Sequence, residues 1–317
     1  VDLTLFSEKI QELKDRIASV IVGQEQTVDL VLTAILANGH VLIEGVPGVA
    51  KTLLARLTAR LIDADFSRIQ FTPDLMPSDV LGTTVFNMKT NGFDFHQGPI
   101  FADIVLVDEI NRAPAKTQAA LFEVMEERQI SIDGTTHRMG DLYTILATQN
   151  PVEQEGTYKL PEAQLDRFLM KITMDYPSLE EEVNILERHH TNAALVKLDD
   201  ITPAITKEEL LSLRAFMNQV FVDRTLLQYI ALIVQQTRTS KAVYLGASPR
   251  ASVAMLQSSK AYALLQGRDF VTPEDIKFVA PYVLQHRLIL TAEAEMEGYS
   301  PVKVTQRLIC LLYTSPS

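Results

Sequence analysis

The residues best suited to chemistry form a loop of small side chains that ends in a lysine and a threonine. Residues 45–52 read GVPGVAKT, follow a short apolar run and open a helical pattern. In a strand–loop–helix context, small residues let backbone N–H groups converge on phosphate oxygens, and the helix N-terminus adds a positive partial charge. Lys51 would reach the β- and γ-phosphates, and the Thr52 hydroxyl would bind Mg²⁺. The residue before the lysine, usually glycine, is Ala50; we interpret this as a small departure because a residue that enters a helix can carry a methyl group.

An apolar run that ends in two carboxylates is the second chemical signal. Residues 104–107 are Ile-Val-Leu-Val, and Asp108 and Glu109 follow. Such a strand places both carboxylates at the carboxyl edge of a sheet, where open α/β folds bind ligands. Asp108 would hold the Mg²⁺ shell, and Glu109 would orient and deprotonate the water that attacks the γ-phosphate. The structural alternatives for these two motifs are a glycine-rich turn before an ordinary helix and an acidic N-cap pair.

Three further polar residues occupy positions that suit a phosphate site. Asn150, after an apolar run, could hydrogen-bond the attacking water or the γ-phosphate, although Asn-Pro also starts turns. Arg167, just before another run, would lie at a subunit edge and stabilise transition-state charge in a neighbouring subunit. Its alternative is a structural arginine paired with Asp166 or another acid. Arg250 is second in a helix that begins at Ser248-Pro249, where a cation opposes the helix dipole, so we favour an anionic partner such as a γ-phosphate.

Five apolar runs predict the strands that must position these residues. They cover residues 41–44, 67–71, 104–107, 143–148 and 168–172. Continuous apolar strands separated by helical patterns predict a parallel sheet covered on both faces. Asn-Gly at 91–92 and Asp-Gly at 133–134, each between alternating flanks, predict two hairpins over 88–98 and 129–139. A helix is expected over 116–127.

After residue 175 the strand pattern stops and helical patterns follow. We predict an α/β nucleotide-binding core over residues 1–175, a linker over 176–200, a helical lid over 201–310 and a tail over 311–317 that breaks the helical pattern. Capping signals at Thr206, Ser248 and Thr272 begin lid helices, and Gly267 ends one.

The composition excludes several classes of protein. The chain has 317 residues, of which 47% are hydrophobic and 22% charged, unlike disordered or fibrous chains. With 29 Lys+Arg against 40 Asp+Glu, the formal net charge of −11 argues against non-specific binding to nucleic acid or to an anionic membrane. The single cysteine, Cys310, excludes an internal disulfide and a Cys-rich metal site. No stretch has the length and apolarity of a membrane span and no signal peptide opens the chain, so we expect a cytoplasmic protein.

In combination, these motifs resemble the AAA+ ATPases, and most closely the MoxR family. The resemblance rests on GVPGVAKT at 45–52, FADIVLVDEINRAPAKTQAALFEVMEERQISIDG at 101–134, ATQNP at 147–151, LPEAQLDRF at 160–168 and SPRA at 248–251. IVGQ at 21–24 also resembles the family's N-terminal segment, which contacts the adenine. Together these pieces span most of residues 20–290 in the family's order. The resemblance implies an AAA+ P-loop NTPase domain of the α/β class, with helices on both faces of a parallel sheet, followed by a smaller all-α lid. The two predicted hairpins match the family's helix-2 insert and pre-sensor hairpin.

The resemblance also implies a role for each candidate residue. The implied catalytic residues are Glu109 of Walker B, Asn150 as sensor 1, Arg167 as an arginine finger acting in trans, and Arg250 as sensor 2. The implied Mg²⁺ ligands are Thr52 and Asp108. The residues implied to bind ATP are Val22, Gly23, Gly45, Val46, Pro47, Gly48, Val49, Ala50, Lys51, Thr52 and Leu53. An extra helix repositions the lid in this clade, so both actions of Arg250, on its own nucleotide and on a neighbour's, stay open.

The function implied by the resemblance is that of a hexameric, chaperone-like motor. Such a protein couples Mg-ATP binding and hydrolysis to the remodelling, assembly or activation of a partner complex, often one with a von Willebrand factor A domain. The alternatives are a magnesium-chelatase-like motor subunit, a nucleotide-gated binding module and a DNA-linked AAA+ motor. The acidic net charge argues against the last of these.

Overall fold

The chain folds around a parallel sheet that is followed by a mainly helical region. The structure, a computed structural model, describes residues 2–152, 156–191 and 197–314. The strands are β1 (Val41–Gly45), β2 (Phe66–Gln70), β3 (Gly82–Asn87), β4 (Gly92–Gln97), β5 (Ile104–Asp108), β6 (Gln129–Ile132), β7 (Thr135–Arg138), β8 (Thr144–Gln149), β9 (Met170–Met174), β10 (Val243–Leu245) and β11 (Ile289–Leu290). The helices are α1 (Leu3–Val20), α2 (Glu25–Leu36), α3 (Lys51–Leu61), α4 (Pro77–Leu81), α5 (Ala115–Glu127), α6 (Glu162–Leu165), α7 (Leu179–His190), α8 (Lys207–Phe216), α9 (Arg224–Thr239), α10 (Pro249–Leu265), α11 (Pro273–Leu284), α12 (Ala292–Met296) and α13 (Pro301–Thr314).

Five strands form the central sheet in the order β2-β5-β8-β1-β9. Every neighbouring pair is parallel. This confirms the predicted parallel sheet, and each strand begins and ends within two residues of its predicted bounds. All five residues of β5 are buried, as expected of a central strand that is rich in β-branched residues and covered on both faces.

Alternate residues of β1, β5 and β8 enter two separate cores. On β1, Val41 and Ile43 pack into one hydrophobic cluster and Leu42 into the other. This is the two-residue period of a pleated strand. The first cluster contains residues of α1, α2, α3 and the lid helix α10, and the second contains residues of α4 and α5. Helices therefore cover both faces of the sheet, as predicted.

Both predicted hairpins are present, and the helix between them is α5. Strands β3 and β4 pair in antiparallel fashion around Asn91, whose φ of 48° lies in the left-handed region. Strands β6 and β7 do the same around Asp133 and Gly134, with φ of 50° and 78°. Asn, Asp and Gly suit such turns because they tolerate positive φ, which both residues adopt at 133–134 and Asn91 alone adopts at 91–92.

The helical region begins as the capping signals predict. Thr206 and Thr272 each form a capping box, and Gly267, with φ of 74°, follows the end of α10. Helix α7 lies inside the predicted linker, and the Ser178 hydroxyl accepts the N–H of Glu181 at its start. The lid differs from the all-helical expectation in one respect, because β10 and β11 form a short antiparallel pair. The boundaries of the core, linker and lid remain predictions.

The last helix is longer than the sequence pattern suggested. Helix α13 continues to Thr314, so the predicted break of the helical pattern at residue 311 is wrong for residues 311–314. Residues 311–313 are Leu-Leu-Tyr, which a helix accommodates, and the first strong helix breaker is the proline at 316. The rest of the predicted tail, residues 315–317, lies outside the described residues. Among the described helices, none has the length and apolarity needed to cross a membrane.

Candidate active site

The carboxyl edge of the sheet contains the predicted phosphate-binding loop and the predicted acids. Because the strands are parallel, β1, β5 and β8 all end at this edge. Strand β1 leads into the loop at Gly45, and β5 ends at Asp108. Strand β8 lies between β1 and β5, and Asn150 directly follows its last residue. The fold therefore brings these motifs to one place although they are far apart in the sequence.

The loop between β1 and α3 turns through two residues in the left-handed region. Gly48 has a φ of 86°, and Ala50, the N-cap of α3, has a φ of 59°. The sequence interpretation of Ala50 was therefore wrong in its reason, because this residue precedes the helix rather than entering it. Its conformation favours glycine and costs an ordinary residue about 1–2 kcal/mol. Helix α3 starts at Lys51, so the N–H groups of Lys51, Thr52 and Leu53 have no acceptors within the helix and are suited to an anion.

The loop is fixed to the core on one side and open on the other. The side chain of Val49 is buried in the first core cluster, Val46 packs against that cluster, and Pro47 and Gly48 are exposed. An anchored loop with an exposed crest can present its backbone to a ligand without rearranging the core.

Lys51 lies within the same site as the acids of β5. Its Nζ donates a hydrogen bond to the Gly45 carbonyl at 2.8 Å. Burial lowers the pKa of Lys51, while the neighbouring carboxylates of Asp108 and Glu109 raise it. The structure thus brings one cation and two acids together at the N-terminus of α3, as the sequence predicted.

Asp108 is buried and held from both neighbouring strands. Its Oδ1 accepts a hydrogen bond from Thr148 Oγ1 of β8 at 2.9 Å. Its Oδ2 accepts one from Arg68 Nε of β2 at 2.7 Å. Bonds from two directions fix the orientation of this carboxylate before any ligand binds.

Glu109 occupies a strained backbone position at the end of β5. Its φ of 55° lies in the left-handed region and turns the chain into the 3-10 turn Ile110–Arg112. Its N–H donates to Thr148 Oγ1 at 3.0 Å, so one hydroxyl positions both acids. Its carboxylate is 37% exposed and forms an ion pair with Arg112 Nε at 2.7 Å. Glu109 is therefore held in place yet reachable by water.

Asn150 lies at the carboxyl edge of the sheet, directly after β8, and forms a turn. Its Oδ1 accepts the N–H of Val152 at 3.1 Å, which is the turn that the sequence offered as an alternative. The residue before it, Gln149, pairs with Glu44 of β1. Asn150 is thus one strand away from the start of the phosphate-binding loop.

The predicted adenine-binding segment lies in the bend between α1 and α2. Gly23 has a φ of 76°, and a Cβ at this position would clash with the carboxylate of Glu181 on α7. Helix α7 therefore lies directly against the segment of Val22 and Gly23. Arg188 of α7 donates to the carbonyls of Ala18 and Ser19, which fixes α7 to the end of α1.

Arg167 lies at the opposite, amino edge of the sheet. Strand β9 runs beside β1, with Met170 next to Val41 and Met174 next to Gly45. Arg167 precedes Met170 by three residues, so it lies beyond the start of these strands. A strand advances about 3.3 Å per residue, so the length of β9 alone separates the two edges by about 13 Å. Arg167 and the phosphate-binding loop of one subunit are therefore not brought together.

Arg250 of the lid lies beside Arg167. Nη1 of Arg167 lies 2.8 Å from Glu126 Oε2 and donates to the Phe122 carbonyl at 2.8 Å. Nη2 of Arg250 lies 3.0 Å from the other oxygen of Glu126, and its Nη1 lies 3.5 Å from Asp166 Oδ2. The hydrogen bond with Glu126 raises the pKa of Arg250. The acid that pairs with Arg167 is thus Glu126 rather than the sequence neighbour Asp166.

A third arginine fixes this region to the lid. Arg287, which follows α11, is almost completely buried, and its Nε lies 2.7 Å from Asp166 Oδ1. Its other nitrogens donate to the carbonyls of Phe168 at 2.9 Å and Leu169 at 3.1 Å. Burial lowers the pKa of Arg287, and the bond with Asp166 opposes that change. The chain before β9 is therefore attached firmly to the lid.

Sequence reasoning missed the residues that orient the predicted ones. These are Arg68, Arg112, Glu126, Thr148 and Arg287. Arg112 carried a local signal, since it follows Glu109 by three residues, the spacing of one helical turn. The others meet the predicted residues from at least 39 positions away in the chain, so no local spacing indicates them.

The site fits a metal ion that arrives with a nucleotide. The Thr52 hydroxyl and the Asp108 carboxylate offer the oxygen ligands that Mg²⁺ prefers. In the part of the chain that the structure describes, no group of three or more His, Cys, Asp or Glu side chains could hold a metal by itself. Mg²⁺ here would need phosphate oxygens and water as its remaining ligands, which is its usual environment in ATP sites.

Comparison with known proteins assigns the same two parts to a family. A model of the ATPase family associated with various cellular activities (AAA) matches residues 40–170, and a model of the AAA lid domain matches residues 235–308. A crystal structure from Cytophaga hutchinsonii, described as a candidate ATPase, superposes with a TM-score of 0.89. The two are 41% identical, and the match covers 98% of this chain and 96% of that one.

Curated relatives match over most of their length. The chain is 48% identical over 295 residues to the uncharacterized protein YeaC of Bacillus subtilis, which covers 93% of this chain and 91% of the relative. It is 45% identical over 299 residues to the chaperone MoxR1 of Mycobacterium tuberculosis, covering 92% and 78%. It is 30% identical over 317 residues to the MoxR protein of Methylorubrum extorquens, covering 93% and 91%. The chain therefore belongs to the MoxR family of AAA+ ATPases.

Proposed function

We propose that this protein is an Mg²⁺-dependent ATPase that hydrolyses ATP to ADP and phosphate. The observation that carries the proposal is the convergence of Lys51, Asp108 and Glu109 at the N-terminus of α3. Such an arrangement binds the phosphates of a nucleotide and supplies a base beside them. Membership of an ATPase family supports the same conclusion.

Each residue of the carboxyl edge has a distinct task in this proposal. The N–H groups of the loop and Lys51 bind the phosphates, while Thr52 and Asp108 hold the metal. Mg²⁺, when bound, neutralises charge on the phosphates. Glu109 removes a proton from the water whose oxygen attacks the γ-phosphorus, and the bond to the β–γ bridging oxygen breaks. Asn150 orients that water or the γ-phosphate.

The arginines of the amino edge act on the nucleotide of a neighbouring subunit. About 13 Å of sheet separates Arg167 from the loop of its own subunit, and the Arg167 side chain is 27% exposed. Arg250 shares the carboxylate of Glu126 with Arg167, so we propose that it acts in trans as well. Arginine supplied by a neighbour stabilises the charge that develops during phosphoryl transfer.

The test is ATP hydrolysis per subunit measured as the protein concentration is raised, with Mg²⁺ present. We expect a rise to a plateau, and we expect Arg167→Ala to abolish that rise. Arg224→Ala, which removes an exposed lid arginine, is the matched control and should leave the curve unchanged. A flat rate that Arg167→Ala does not alter would contradict the shared site.

We further propose that hydrolysis drives chaperone-like remodelling of a partner complex by a hexamer in the cytoplasm. The relative named chaperone MoxR1 supports the remodelling role, and a protein with a von Willebrand factor A domain is the partner that we propose. A single cysteine, which cannot form an internal disulfide, agrees with a reducing compartment. Analytical ultracentrifugation with ATP should give six times the 35.4 kDa subunit mass. A monomer at all concentrations would contradict the assembly.

A further inference from the structure

One carboxylate, that of Glu126, lies between the arginine of the core and the arginine of the lid. Its Oε2 lies 2.8 Å from Arg167 Nη1, and its Oε1 lies 3.0 Å from Arg250 Nη2. Glu126 belongs to α5, Arg167 lies three residues before the start of β9, and Arg250 belongs to the lid helix α10. A single side chain therefore connects three elements from both parts of the molecule.

The surroundings of Glu126 indicate a positioning role rather than a role in stability. Its side chain is 37% exposed, and that of Arg250 is 53% exposed. Ion pairs this exposed contribute little to the free energy of unfolding. Two guanidinium groups that lie close together repel each other, and a carboxylate between them offsets that repulsion. The geometry thus keeps two cations side by side on one surface.

The bridge leaves both arginines able to bind another anion. A guanidinium carries five N–H donors in a rigid fork, and Glu126 accepts from one nitrogen of each arginine. Arg167 is further fixed by its bond to the Phe122 carbonyl, one turn earlier in α5. Arg250 is further fixed by Asp166, which Arg287 holds in turn. Each arginine is thus held by two groups, and 27% of the Arg167 side chain and 53% of the Arg250 side chain remain exposed.

We propose that Glu126 is a positioning residue that couples Arg167 to Arg250, so that the two guanidinium groups act as one unit on the phosphates of a neighbouring subunit. The inference rests on the proposed function, in which both arginines act in trans. A movement of the lid that displaces Arg250 would then also change the orientation of Arg167, because both arginines pair with Glu126.

The test is a double-mutant cycle of turnover at saturating ATP and plateau protein concentration. The variants Arg167→Ala, Arg250→Ala and their combination are made in the wild-type background and again with Glu126→Gln. The coupling factor is the product of the two single-variant losses of turnover divided by the loss in the double variant. In the wild-type background we expect this coupling factor to be roughly ten. With Glu126→Gln we expect that factor to fall close to one, and Glu126→Gln alone to lower turnover roughly five- to tenfold.

The controls separate positioning from folding and binding. Glu123→Gln removes the same charge from an exposed residue of the same helix and should leave turnover and the coupling factor unchanged. Glu126→Gln itself should keep the affinity for ATP and the midpoint of thermal unfolding of the wild type.

The outcomes distinguish the two proposals. A coupling factor of full size with Glu126→Gln would overturn the inference and leave the trans arginines intact. Wild-type or faster turnover with Glu126→Gln would also overturn it, since Glu126 would then be dispensable or would restrain the arginines. If neither arginine substitution lowers turnover, the shared site itself fails, and the coupling fails with it.

Discussion

The two edges of the central sheet differ in how their functional residues come together. At the carboxyl edge, a contiguous loop and the ends of adjacent parallel strands place Lys51, Asp108 and Glu109 in one site. At the amino edge, Arg167 and Arg250 meet at Glu126, which is 41 residues from the first and 124 from the second. The first edge is built from local motifs and the second from contacts between core and lid. In the proposed function these edges are two half-sites: the first binds a nucleotide, and the second acts on the nucleotide of a neighbouring subunit.

The difference also appears in the charges. At the carboxyl edge, each acid is paired with an arginine of its own, Asp108 with Arg68 and Glu109 with Arg112. At the amino edge, three arginines share the two carboxylates of Glu126 and Asp166. Arg287 is almost completely buried, so the accessible guanidinium groups at this edge are those of Arg167 and Arg250, which share Glu126.

The largest expected effect separates chemistry from binding within the carboxyl edge. Glu109→Gln removes the base and keeps the shape of the side chain, so turnover should fall about 10²- to 10⁴-fold. Affinity for a fluorescent ATP analogue should remain within about threefold of the wild type, because the phosphate-binding groups are untouched. Normal turnover in this variant would sink the assignment of Glu109.

The next effect contrasts the two edges directly. Lys51→Ala removes a charged contact to the phosphates, so affinity for the ATP analogue should fall about 100-fold. Lys116→Ala, an exposed lysine on α5, is the control and should bind normally. Arg167→Ala should bind like the wild type at a concentration where the protein is monomeric. If Arg167→Ala lost affinity for the analogue as Lys51→Ala does, the amino edge would also contribute to nucleotide binding within one subunit. The proposed division between the two edges would then be wrong.

A smaller effect is expected at the strand between the two motifs. Asn150→Ala removes one neutral hydrogen bond to the water or the γ-phosphate, so turnover should fall roughly tenfold. Steady-state hydrolysis and analogue binding, measured together, should show a loss of turnover with unchanged affinity. Unchanged turnover would mean that the Asn150 side chain serves only its turn with Val152.

The smallest effect on activity is expected for the buried histidine at the amino edge, His40. Its effect on stability should be clear and should depend on pH. His40 bonds the Met125 carbonyl at 3.1 Å and accepts the N–H of Ile145 at 2.9 Å, and burial lowers its pKa to about 3. The folded protein keeps this ring neutral while the unfolded chain takes up a proton below its ordinary pKa of about 6.5. Stability should therefore fall as the pH drops from about 6.5 towards 3, by up to about 1.4 kcal/mol per pH unit from this residue.

Urea unfolding at pH 7, 6 and 5 measures that dependence. His40→Gln should be less stable at pH 7 but should lose stability less steeply on acidification. His286, also buried with a lowered pKa, contributes a slope of the same sign, so some dependence should persist in the variant. An identical slope with and without His40 would contradict the assigned neutral ring.

The sequence predicted the carboxyl edge much better than the amino edge. Strand β5 was predictable because a short run of apolar residues is typical of a strand buried on both faces. The position of its terminal acids followed, because parallel strands of one sheet end at the same edge. The left-handed conformation of Ala50 was not predictable, because alanine, unlike glycine or asparagine, does not favour positive φ. The bridge at Glu126 was not predictable either, because it depends on where the lid helix packs against the core. Residues that orient others across the fold leave no periodic pattern.

The central claim, that one subunit's loop works with another subunit's arginine, is tested most directly by mixing two inactive variants. Lys51→Ala lacks a working carboxyl edge but keeps the arginines of the amino edge, and Arg167→Ala has the opposite defect. Because each variant lacks one half of the shared site, each alone should hydrolyse almost no ATP. Mixed in equal amounts at plateau concentration, random assembly into a ring should restore about one quarter of the wild-type turnover per subunit. A mixture no more active than its two components would contradict the shared site.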